Sequence, residues 1–77
     1  MPTIFEIFGL RFFFFSDEHQ PVHVHVVKGD ARAKIETYPE IKLVYNKGLK
    51  AQDLKRALEL AEMYKEEINE TWKRYFD

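Results

Sequence analysis

All three histidines of the chain, His19, His23 and His25, fall in one stretch, SDEHQPVHVHVV, at residues 16–27. His23 and His25 are two positions apart. On a strand such residues point the same way, with Cα atoms roughly 6–7 Å apart. That spacing can chelate a divalent transition metal, with His19 as third ligand and Asp17 or Glu18 supplying a carboxylate. The same pair also fits acid–base catalysis. One neutral and one protonated imidazole, beside Arg32 and Lys34 to steady a phosphate, suit cleavage of RNA at a phosphodiester. Arg32 and Lys34 are equally candidates for plain nucleic-acid contact. The bland account is a polar strand face that happens to carry histidine, or a partner-binding face built on the apolar rings of the same sheet.

The elements that must position these residues follow from pattern. Residues 3–8, TIFEIF, read as a first strand bounded by Pro2 and Gly9. Gly9-Leu10 is the expected turn. Residues 11–15, RFFFF, form a second strand with large rings on both faces, so it is either central or covered by another subunit. Residues 16–20 are a polar turn, and Pro21 suits a strand entrance. Residues 22–27 and 31–37 then form a hairpin. With Gly29-Asp30 as its loop, Val26 opposes Ala33, Val24 opposes Ile35, His25 opposes Lys34 and His23 opposes Glu36; with Lys28-Gly29 as the loop the pairing slides by two positions in sum and the faces are unchanged. The apolar face is Val24, Val26, Ala31, Ala33 and Ile35. The polar face is His23, His25, Arg32, Lys34 and Glu36.

After Tyr38-Pro39-Glu40, residues 41–45 alternate as a last strand, with Ile41, Leu43 and Tyr45 on one side. From Leu54 the apolar period changes from two to 3.6, through Ala57, Leu58, Ala61, Tyr64, Ile68, Trp72, Tyr75 and Phe76. That predicts a helix over 51–76, about seven turns. Asp53 stands in its first turn, where the helix dipole favours a carboxylate. Leu49 and Leu54 are spaced as a hydrophobic staple around Lys50, itself a poor cap. Lys65 falls within the apolar stripe and has to snorkel. The fold class expected is α+β: a four- to five-stranded, mostly antiparallel sheet with one long C-terminal helix packed on one face. The histidine face is then expected to be open.

Composition narrows the function classes. Seventy-seven residues make one domain, 45% hydrophobic and 16% aromatic, so a compact aromatic core is expected. A core this small is marginal alone, which favours a protein partner or a homo-oligomer. With no cysteine, disulfides and thiolate zinc sites are excluded. The run at 12–15 is too short to span a bilayer, and Met1-Pro2-Thr3 is followed at once by strand-like sequence with Glu6 inside it, unlike a leader, so a cytoplasmic location is expected. A net charge of −1 argues against non-specific nucleic-acid binding by the whole surface but leaves room for a basic patch. Lys47, Lys50, Lys55 and Arg56 flank the helix start and could meet phosphate, although Asp53 and Glu59 are interleaved.

Pro2-Thr3-Ile4, Gly9, Arg11-Phe12-Phe13-Phe14, Ser16-Asp17-Glu18-His19, Pro21-Val22-His23-Val24-His25-Val26 and Gly48-Leu49, leading into a helix with Trp72, together resemble a family of small, mostly bacterial proteins. It is known as domain of unknown function family 4160. The Asp-x-His-x-Pro-x-His-x-His core is the most specific part, and the likeness covers nearly the whole chain. Lys50 stands where the family pattern often has serine. The family has no settled activity. Its members are similar to components of toxin–antitoxin-like gene pairs. The resemblance thus implies a protein partner, a nucleic-acid target and a functional role for His19, His23 and His25.

Overall fold

The computed structural model describes residues 3–15 and 21–76. Five strands form one sheet in chain order: β1 (Thr3–Ile7), β2 (Leu10–Phe13), β3 (His23–Lys28), β4 (Ala31–Glu36) and β5 (Lys42–Lys47). Each is antiparallel to its neighbours. Two helical segments follow, α1 (Ala51–Met63) and α2 (Lys65–Phe76). They join at Tyr64 without losing the ladder, since Tyr64 N–H donates to Leu60 and Ile68 N–H donates to Tyr64. The pair is therefore one long helix with a local break, where the Tyr64 ring packs 4.8 Å from that of Phe5.

The β3–β4 register is the one with Gly29-Asp30 as its loop: His23 pairs with Glu36, Val24 with Ile35, His25 with Lys34 and Val26 with Ala33. The first turn differs. Ile7 pairs with Leu10, so Phe8-Gly9 is the two-residue loop instead of Gly9-Leu10. Leu10 is fully buried in the core, and that burial draws it into the strand. The loop has positive φ at both positions, 56° at Phe8 and 76° at Gly9. Such turns match the twist of the flanking strands, but a bulky residue in the first position costs about 1–2 kcal/mol. The last strand differs too. Tyr45 does not share a side with Ile41 and Leu43. A β-bulge places Leu43 opposite Ile35 on the core face but Tyr45 opposite Lys34 on the other.

The core lies between one sheet face and the helix. Phe12, Phe14, Val24, Val26, Ala33 and Ile35 supply the sheet side, and Ala57, Leu60, Ala61, Ile68 and Trp72 the helix side. Trp72 is its largest buried side chain, edge-on to Phe14 at 5.3 Å and beside Phe76 at 4.5 Å. The helix lacks a side-chain cap at Lys50. Instead Asn46 fixes the chain just upstream: its Nδ2 donates to Leu49 O at 3.1 Å, and its Oδ1 accepts from Leu49 N–H at 3.0 Å. Gly48 allows that turn, at φ 100°, where a Cβ would also come within 3.3 Å of Ala31 Cβ. At the other end of the sheet, Asn69 of α2 holds Thr37. The Thr37 hydroxyl donates to Asn69 Oδ1 at 2.8 Å, and Asn69 Nδ2 donates to the Thr37 carbonyl at 3.1 Å. Thr37 is fully buried, so this exchange satisfies groups that water cannot reach.

Trp72→Ala is expected to lower stability by about 3–5 kcal/mol, read as an earlier denaturation midpoint with unchanged slope. A loss under about 1 kcal/mol would show that Trp72 does not anchor the helix.

Candidate functional site

Because side chains alternate, the residues next to those of the core project from the sheet face away from the helix. Three cross-strand rows run over it. The first is Glu6, Arg11, Val27, Arg32 and Lys47, one from each strand. The second is Phe13, His25, Lys34 and Tyr45. The third is His23, Glu36 and Lys42. Arg11, Arg32, Lys34, Lys42 and Lys47 thus outnumber Glu6 and Glu36 on a chain whose net charge is −1. In the first row Arg32 and Lys47 sit one strand spacing apart, and Arg11 two strands from Arg32, so the cations span about 14 Å. Two of them lie over rings. The Arg11 guanidinium is 5.4 Å from the Phe13 centroid, and Lys47 Nζ is 5.2 Å from that of Tyr45. The core and the helix residues that build it lie on the other face.

The histidines lie on it as the alternation requires, but they are not open. His23 is 3% exposed and His25 8%. Aromatic packing accounts for much of this. The two imidazoles meet edge-on at 5.0 Å. His25 also touches Phe15 at 4.6 Å and Phe13 at 5.6 Å, and His23 reaches Trp72 at 5.2 Å around the end of β3. His23 Nδ1–H donates to the Pro21 carbonyl at 2.7 Å, and its Nε2 is sealed from solvent. The phenylalanine run therefore serves two layers: Phe12 and Phe14 go to the core, and Phe13 and Phe15 to the histidines.

The expected three-histidine cluster is corrected to a pair. Among the described residues no group of three or more histidines and carboxylates could hold a metal ion. Only two histidines fall among the described residues, and both imidazoles are buried in ring packing. His19, Asp17 and Glu18, the other proposed ligands, lie outside the described residues. Arg32 is exposed and Lys34 half-buried beside His25 in the register, so the structure brings Lys34 to the histidine pair and carries Arg32 towards Lys47. Sequence reading missed Arg11 and Lys47 as members of this face. Cross-strand register, which joins residues far apart in the chain, is the signal that finds them.

The family model for Domain of unknown function (DUF4160) matches residues 9–73. The chain belongs to this family. No curated protein and no solved structure matches it. The helix layer of this DUF4160 protein has the opposite character. An open groove of about 510 Å³ at the Tyr64 break is lined in part by Glu62, Glu66, Glu67 and Glu70. No helix among the described residues is long and apolar enough to cross a membrane.

Both described histidines are expected to resist diethyl pyrocarbonate in the folded protein and to react after unfolding, by peptide mass spectrometry. Prompt modification of His23 or His25 in the native state would contradict their burial. His23→Ala and His25→Ala are each expected to cost about 1–3 kcal/mol of stability.

Proposed function

We propose that this DUF4160 protein is a small cytoplasmic interaction module that holds a single nucleic-acid strand on the sheet face away from its helix. One observation carries the reading: a row across the sheet with exposed cations on β2, β4 and β5, two of them stacked on rings. Proteins that grip single strands without reading sequence combine a cationic track for the phosphates with aromatic platforms for the bases. Arg11, Arg32, Lys34 and Lys47 form the track, and Tyr45 is the half-buried ring beside it. The glutamates of the helix groove repel a polyanion, which favours the sheet as the face that meets it. The family resemblance adds the second half of the proposal: one component of a toxin–antitoxin-like pair, with a protein partner.

Acid–base cleavage by His23 and His25 is the weaker reading. A general base must come within hydrogen-bond reach of the proton it takes. Rings this buried, one of them bonded to Pro21, do not present a nitrogen to a phosphodiester lying on the surface.

Fluorescence anisotropy with labelled single-stranded RNA and DNA tests the proposal. Wild type is expected to bind at low salt and weaken steeply as salt rises. Arg32→Glu and Lys47→Glu are each expected to weaken binding of every sequence alike, and to lower the salt slope by about one. No binding at low salt, or binding indifferent to both substitutions, overturns it.

A further inference from the structure

Phe8 is placed where neither folding nor packing asks for it. It is 62% exposed, so it is not core. Its φ of 56° puts a bulky side chain in the left-handed region, at a turn position that favours asparagine or glycine. The ring is held nonetheless: the Arg56 guanidinium lies over it, 4.9 Å from the centroid. Arg56 is half-buried on α1, three residues after Asp53. Asp53 in turn is paired with Lys28, both carboxylate oxygens 3.1 Å from Nζ. A carboxylate that would repel a phosphate at this end of the molecule is therefore neutralised. A strained, exposed aromatic backed by a fixed cation is the arrangement that a planar ligand requires.

The hairpin tip lies at the end of the sheet, one residue past β1, and the Arg56 contact sets the Phe8 ring beside α1, at the border between the cationic face and the helix layer. Along the chain the tip is about 7 Å beyond the row that contains Arg11. The backbone of Gly9, next in the turn, passes close to Lys28, whose Cε lies 3.7 Å from the point where a Cβ would stand. Phosphates lying on the first row would thus bring a neighbouring base to the hairpin tip.

We infer that Phe8, backed by Arg56, is a stacking platform for an unpaired nucleobase of the strand held on the cationic face. The inference rests on the nucleic-acid reading above and deepens it, because it assigns the base-contacting group. Phe8 precedes the segment matched by the family model. Stacking recognises the flat face common to all bases, so RNA and DNA of one sequence are both substrates for the test.

Phe8→Asn separates this inference from the reading beneath it. Asparagine tolerates the left-handed backbone, so the variant is expected to be at least as stable as wild type, which thermal melting checks. It is expected to bind single-stranded oligonucleotides about 5- to 150-fold more weakly, with the same salt slope, since a base contact is lost and no phosphate contact. Phe8→Trp is expected to restore binding, and its added emission to be quenched by an oligonucleotide but not by its abasic counterpart. If wild type binds and Phe8→Asn binds equally well, the platform is overturned while the cationic face stands. Phe8 is then left to a protein-facing contact. If wild type binds no oligonucleotide, both fail. Quenching by the abasic strand also overturns the platform.

Discussion

Everything in this molecule depends on the pairing of β2 with β3, where Phe12 meets Val26 and Phe13 meets His25. A slip of one residue there would exchange the two faces. Phe13 and the histidines would turn towards the helix, and Phe12, Val24 and Val26 towards the opposite side. The register is therefore fixed by burial on both sides at once. Trp72 is the point where the two sides meet. It packs on Phe14 within the core and reaches His23 at the end of β3. This indole ties the histidine pair to the hydrophobic core.

The two layers then divide the work. The helix layer supplies burial, and its outer surface gathers glutamates at the Tyr64 break. The sheet layer supplies cations, each fixed by its strand position. A chain with near-balanced charge can in this way present a polyanion with one attractive and one unattractive side. The balance summed over the sequence does not show this, because strand register and not composition decides which charges share a face.

Much of the fold was legible. Period-two runs located the strands, the change to period 3.6 located the helix at 51–76, and the turn at 28–30 narrowed the β3–β4 register to two choices with the same faces. Four things were not. The bulge that turns Tyr45 away from Leu43 adds one residue to one strand, and alternation alone does not reveal it. The Phe8-Gly9 turn defeats the rule that a bulky residue avoids positive φ, and sites of that kind are where local rules are expected to fail. The burial of the histidines also escaped notice. Their alternation was read as a polar exposed face, whereas Phe13 and Phe15 on the same side stack against them. The reciprocal bonds of Asn69 with Thr37 are tertiary and those of Asn46 with Leu49 belong to one turn, and neither leaves a periodic trace.

The strand order has a consequence for synthesis. Every strand pairs with its neighbour in sequence, so hairpins can zip up one after another as the chain leaves the ribosome, with little loop entropy to overcome. The cover for their apolar face is encoded after all five strands, and Trp72, its largest piece, late in that cover. Until α2 emerges, the nascent sheet exposes Phe12, Phe14, Val24, Val26 and Ile35 to whatever surrounds it. This is a window in which a holdase, or a partner translated alongside, has the most apolar surface to seize.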